Sequence, residues 1–110
     1  MASDIDFVIF VMDQFENAGE ISSRNIFGEY LFYTDGKLFG LICDNKLLIK
    51  PTKTGRAFIG DVVEASPYPG AKPCFLIEDK IEDRKWLSEL VRISLKELPA
   101  PKPKKGDRTR

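Results

Sequence analysis

Histidine is absent from this chain of 110 residues, and only two of its residues are cysteine. Histidine is the commonest general base near neutral pH and the commonest zinc ligand, so its absence argues against most hydrolases and zinc enzymes. Cys43 and Cys74 lie far apart within apolar stretches, and we expect buried free thiols rather than a disulfide. No pattern of catalytic residues, metal ligands or phosphate-binding glycines occurs, which predicts a protein that is not an enzyme and holds no metal or cofactor.

Long apolar runs are also missing from the sequence. No run approaches the roughly 18 residues that a membrane-spanning helix requires. The first residues, Met-Ala-Ser-Asp-Ile-Asp, are acidic where a secretory signal would be basic. With 43% hydrophobic and 31% charged residues, the chain has the composition of one globular domain, and we expect a cytoplasmic protein without membrane contact.

The two signs of charge are unevenly distributed, although each totals 17. The segment after Leu98 alternates proline with basic residues and has no large apolar side chain, which predicts a disordered tail over residues 99–110 behind a domain over residues 1–98. The tail holds five basic groups and one acidic group, so the domain keeps 12 basic and 16 acidic groups (17 − 5 and 17 − 1).

The basic tail suggests an alternative function, a small nucleic-acid-binding protein that acts through weak, salt-sensitive contacts. A solvated terminus is the simpler interpretation of the same residues. The candidate residues for nucleic-acid contact are Lys102, Lys104, Lys105, Arg108 and Arg110.

Turn signals and periodicity divide the domain into three helices and five strands. The expected strands are Arg24–Thr34, Lys37–Cys43, Lys46–Lys50, Val62–Ser66 and Pro73–Glu78, with turns at Asp35-Gly36, Asp44-Asn45 and Pro69-Gly70. The expected helices run from Ser3 to Gly19, from Thr52 or Thr54 to Gly60, and from Glu82 or Asp83 to Pro99. Because the connections are short, the fold class is predicted to be a two-layer α+β domain with a mainly antiparallel five-stranded sheet and the order α-β(3)-α-β(2)-α.

The first helix carries more apolar residues than one buried stripe needs. Its predicted buried stripe contains Ile5, Val8, Ile9, Met12 and Phe15. Phe7, Phe10 and Val11 lie off that stripe, and the strands are apolar on both faces. Exposed apolar surface usually marks an interface, so we predict a homodimer or a docking surface for another protein that includes Phe7, Phe10 and Val11.

Two longer motifs carry a family resemblance. They are Phe7-Val8-x-Phe10-Val11-x-Asp13-Gln14-Phe15-x-x-Ala18-Gly19 and Arg24-x-Ile26-Phe27-Gly28-x-Tyr30-x-x-Tyr33-x-Asp35-Gly36-x-x-Phe39-Gly40-Leu41-Ile42. With Leu47-x-Ile49-Lys50 and the Trp86 helix, they resemble the N-terminal domain family of TfoX, or Sxy, the regulators of natural competence in some bacteria. The resemblance covers nearly all of the chain up to Leu98.

This resemblance implies a secretion-chaperone-like fold and a non-enzymatic regulatory or protein-interaction role. Full-length competence regulators carry a second, C-terminal domain where this chain has a short basic tail. Glu29 and Leu31 stand where the family has glycine, which predicts a more ordinary strand backbone at these two positions.

Arg24, at the head of the second motif, has two interpretations. Its guanidinium suits a carboxylate or phosphate on a partner. A structural ion pair with one of the domain's own acidic groups is the favoured interpretation, because most such charges are solvated or locally paired.

Two further clusters also have a functional and a structural interpretation. The aromatic residues Tyr30, Phe32, Tyr33 and Phe39 could stack nucleic-acid bases, but no Lys or Arg is interleaved with them, so core packing is favoured. The acidic residues Asp79, Glu82 and Asp83 lack the alternating spacing of a calcium loop, so capping of the last helix is favoured over metal binding.

Overall fold

The computed structural model describes residues 4–26 and 29–98. The helices are α1 (Ile5–Gln14), α2 (Lys53–Ile59) and α3 (Arg84–Glu97). The strands are β1 (Ser22–Ile26), β2 (Glu29–Thr34), β3 (Lys37–Cys43), β4 (Lys46–Ile49), β5 (Glu64–Ala65) and β6 (Cys74–Ile77). A 3-10 turn at Glu16–Ala18 follows α1, and another at Asp79–Glu82 precedes α3.

The strands form one antiparallel sheet in the order β1-β2-β3-β4-β6-β5. The predicted α+β class and element order are confirmed, with six strands in place of five. The extra strand arises because the predicted strand Arg24–Thr34 folds back on itself as β1 and β2. Phe27 and Gly28 lie outside the described residues, while Glu29 and Leu31 occupy the regular strand β2 as expected.

Two tight turns set the register of the central hairpins. Asp35 and Gly36 have φ angles of 54° and 74°, and Asp44 and Asn45 have φ angles of 52° and 58°. Two consecutive positive φ angles define the type I′ turn, whose twist matches that of paired strands. Both turns predicted from these dipeptides are confirmed.

A bulge in β3 turns Phe39 toward the helices. Phe32 pairs with Gly40 and Tyr33 pairs with Leu38, so Phe39 is the extra residue between them. Gly40 is a site of close backbone approach, because a Cβ there would lie 3.0 Å from the carbonyl oxygen of Leu48.

The main core lies between the helices and one face of the sheet, here called the inner face. The buried Phe15 ring packs edge-on against Phe32 and Phe39, with ring centroids 5.7 and 5.1 Å apart. The half-buried Tyr30 packs against the same core. The favoured interpretation of the aromatic cluster as core is therefore confirmed for these rings.

The outer face of the sheet carries a second, smaller apolar cluster. Leu31, Leu41, Leu48 and Leu76 pair in sequence across β2, β3, β4 and β6. The Cys43 thiol donates to the carbonyl oxygen of Pro67 at 3.1 Å, which brings the connection between β5 and β6 onto this face. Both cysteines are free, and burial raises the pKa of each thiol, with Glu29 raising the pKa of Cys43 further.

Side-chain caps start each helix. Thr52 accepts from the Gly55 N–H at 2.9 Å and caps α2, and Asp83 accepts from the Trp86 N–H at 3.1 Å and caps α3. Both residues were among the predicted starts of these helices. The capping interpretation of Asp83 is thereby confirmed. Asp4, not Ser3, caps α1 by accepting from the Asp6 N–H, and Ser3 lies outside the described residues.

Candidate interaction surfaces

The orientation of α1 differs from the predicted one. Val8 and Val11 are buried against the core, whereas Ile5 and Ile9 are 52% and 59% exposed. The prediction that Val11 contacts a partner is therefore wrong, and Ile5 and Ile9 do not belong to the buried stripe. The run from Ile5 to Met12 is apolar on nearly every side except Asp6, so periodicity could not determine which side faces the core.

The other two interaction candidates on α1 have different surroundings. Phe7 is half-buried and packs against the main core. Phe10 is 39% exposed and stays a candidate for partner contact.

The exposed Ile9 is part of an apolar groove beside α1. Ile9 lines it together with the half-buried Met12 and Ile21, and Ile5 stands one helical turn before Ile9. We call Ile5, Ile9, Met12 and Ile21 the α1 surface. Sequence reasoning missed it because it assigned Ile5 and Ile9 to the core.

Carboxylates border the α1 surface. Asp13, Glu16 and Glu20 line the same groove. Arg84 donates to Asp13 at 2.6 Å and to Glu16 at 3.0 Å, so one guanidinium is paired with two of these three carboxylates. The border of this apolar groove is therefore net negative.

A buried polar contact helps to hold α1 in this orientation. The Gln14 side chain is buried, and its Nε2 donates to the carbonyl oxygen of Ile81 at 3.0 Å. A buried amide that loses its partner costs about 1–3 kcal/mol, so a rotation of α1 that broke this bond would be unfavourable. The exposure of Ile5 and Ile9 thus follows from a fixed helix orientation.

Arg24 lies on β1, at one edge of the sheet. All five β1 side chains are exposed, and Arg24 pairs across the sheet with Leu31 on the outer face. Within residues 4–26 and 29–98 its guanidinium makes no hydrogen bond or ion pair. No structural ion pair of Arg24 is found in this part of the chain, and its contact with a partner stays a prediction.

The end of α3 binds the start of α2. The Glu97 carboxylate accepts from the Lys53 N–H at 2.8 Å and from the N–H and hydroxyl of Thr54 at 3.0 Å each. These N–H groups have no acceptor within α2, because they belong to its first turn. The hydrogen bonds favour the charged carboxylate, so they hold the pKa of Glu97 below its ordinary value of 4.5.

Glu97→Gln is expected to flatten the acid dependence of stability. Because the folded pKa is lowered, the contribution of Glu97 is fully present above its unfolded pKa and disappears as the pH falls through the folded pKa. Thermal unfolding between about pH 6 and about pH 3 should therefore show a smaller loss of Tm for Glu97→Gln than for wild type. Glu89→Gln, on the same helix, replaces a surface partner of Arg92 and serves as the control. Parallel Tm curves for wild type and Glu97→Gln would contradict this role.

Metal sites and membrane-spanning helices have no candidates among the residues that the structure describes. In these residues, no group of three or more His, Cys, Asp and Glu side chains is arranged to hold a metal ion. No helix in the same part of the chain combines the length and the apolar character needed to cross a membrane. The tail candidates Lys102, Lys104, Lys105, Arg108 and Arg110 lie outside the described residues, so their contact with nucleic acid stays a prediction.

The fold and surface together define a small α+β domain with a six-stranded antiparallel sheet and an exposed apolar helix surface. Residues 13–98 match the model of the TfoX N-terminal domain, and the chain belongs to this family. It is also 40% identical over 106 residues to an uncharacterized 12.7 kDa protein in the trpE 5′ region of Spirochaeta aurantia. That match spans 96% of this chain and 92% of the relative.

Proposed function

We propose that this chain is a non-enzymatic regulatory domain that acts by binding another protein through the α1 surface. The observation that carries the proposal is the exposure of Ile5 and Ile9 on a helix whose orientation is fixed. Membership of the TfoX N-terminal domain family supports a regulatory role. Neighbouring exposed isoleucines at helical spacing are a common feature of surfaces that receive an amphipathic partner.

The charge of the border indicates the kind of partner. Asp13, Glu16 and Glu20 line the apolar groove, and Arg84 is ion-paired with the first two of them. A second copy docked through the same surface would bring two negative borders together, which is unfavourable. A partner segment with apolar residues on one side and basic residues at its margins complements both the groove and its border, so we favour another protein over the homodimer.

Binding of a model peptide tests this proposal. We expect a fluorescent amphipathic helical peptide of leucine and lysine to bind wild type more tightly than a matched peptide of leucine and glutamate. Ile9→Ser should weaken binding about tenfold, since burial of an isoleucine side chain is worth about 1.5–3 kcal/mol. Fluorescence anisotropy measures both affinities.

Val63→Ser is the matched control, because Val63 is also more than half exposed but lies beside β5, away from α1. Equal affinities of the two peptides, or equal losses in Ile9→Ser and Val63→Ser, would contradict the proposal. Sedimentation of the same proteins tests the homodimer. A wild-type dimer that persists in Val63→Ser and is lost in Ile9→Ser would assign the α1 surface to a second copy.

A further inference from the structure

We propose that the β1 edge of the sheet binds an extended segment of another protein, which adds a strand antiparallel to β1 and places a carboxylate opposite Arg24. This site is distinct from the α1 surface and does not depend on the function proposed for it. It uses backbone pairing for affinity and one charged side chain for specificity.

The β1 edge is open in the described part of the chain. β1 lies at one end of the strand order and pairs there with β2 alone. The opposite edge is β5, which has only two residues, so β1 offers the longer edge for an added strand. All five β1 side chains are exposed, so neither face of β1 is covered by a described helix or loop.

β1 has few of the features that usually keep sheet edges from pairing. Such edges are commonly blocked by proline, charged side chains, a bulge or a very short strand, and of these β1 has only the charge of Arg24, which an opposite charge on the added strand would neutralise. β1 is Ser-Ser-Arg-Asn-Ile, and its pairing with β2 continues without a register shift from Ser22 to Ile26. Among residues 4–26 and 29–98, its edge is therefore regular and accessible.

The charge of Arg24 favours a different protein over a second copy of this chain as the partner at the β1 edge. Two β1 strands related by twofold symmetry would overlap completely only if Arg24 of each copy faced Arg24 of the other. Like charges directly opposite each other destabilise a strand pair. The unpaired guanidinium instead calls for a carboxylate on the added strand.

The neighbouring residue adds a second element of recognition. Ile26 lies on the same face of β1 as Arg24, two positions further on, and is 41% exposed. The added strand should thus place an acidic residue opposite Arg24 and an apolar residue opposite Ile26. In the remaining positions, the added strand should place small polar residues opposite Ser22, Ser23 and Asn25.

Titration of ¹⁵N-labelled protein with short peptides tests this proposal. The probe is acetyl-Val-Thr-Glu-Thr-Thr-amide, which in antiparallel pairing faces Ile26 with valine and Arg24 with glutamate. We expect amide shifts in residues 22–26 and their β2 partners, and about fivefold weaker binding when lysine replaces the glutamate. Arg24→Glu should reverse that preference.

Several results would overturn the proposal. They are an absence of shifts at millimolar peptide, shifts confined to other elements, and equal affinities of the two peptides for wild type. Shifts of the same β1 amides on concentrating the protein without peptide would show a second copy at this edge, which also overturns it. The comparison of the two peptides on wild type stands even if Arg24→Glu does not fold.

Discussion

Phe15→Ala is expected to remove a large part of the stability of the domain. Phe15 is fully buried and packs edge-on against Phe32 and Phe39, so its ring joins the segment after α1 to two strands. Truncation of a buried phenylalanine to alanine costs about 3–5 kcal/mol, through lost burial and the cavity left behind. Small domains are stable by only about 5–15 kcal/mol in total.

Urea unfolding followed by circular dichroism measures this loss. Tyr68→Ala is the control, since Tyr68 is an aromatic residue that is 64% exposed and its removal should cost less than about 1 kcal/mol. A free energy of unfolding that falls equally in Phe15→Ala and Tyr68→Ala would contradict the core described above.

Gly55→Ala is expected to destabilise the protein, although alanine is normally the better helix residue. In an unconstrained helix this change is favourable by about 0.5–1 kcal/mol. Here the added Cβ would lie 2.6 Å from Thr52 Oγ1, 3.2 Å from Ser94 Oγ and 3.3 Å from Phe75 Cε2. Since α2 is packed tightly against its own cap, α3 and the sheet, we expect a net loss of about 1–3 kcal/mol.

A double-mutant cycle with Thr52→Ala tests whether the contact with Thr52 causes the loss of stability in Gly55→Ala. Thr52→Ala removes the nearest atom but also removes the cap of α2, which costs about 1 kcal/mol by itself. If the clash with Oγ1 dominates, the double variant loses less stability than the sum of the single losses. A stabilising effect of Gly55→Ala in thermal unfolding would disprove the close packing.

The local parts of the fold could be predicted from the sequence because they depend on neighbouring residues. The Asp35-Gly36 and Asp44-Asn45 turns need only residues that tolerate positive φ, and the caps at Thr52 and Asp83 need only a short polar side chain at the right place. The close backbone approach at Gly40 could also be predicted, because a glycine inside an apolar strand often marks such a site.

Contacts between distant residues could not be predicted in this way. The orientation of α1 is held in part by Gln14, which bonds to the backbone of Ile81, 67 positions away. The same limit applies to Glu97, which binds the start of α2 more than 40 positions earlier. The α1 surface was missed for this reason, because two apolar stripes fit the same helix and only tertiary contacts choose between them.

The most direct test of the α1 surface is a titration of isoleucine-methyl-labelled protein with the leucine and lysine peptide, followed by NMR. We predict that the methyl signals of Ile5, Ile9 and Ile21 shift, while those of Ile26 on β1 and of the buried Ile42 stay in place. Shifts at Ile26 without shifts at Ile5 and Ile9, or no methyl shift at saturating peptide, would contradict the proposal that α1 carries the protein-binding function.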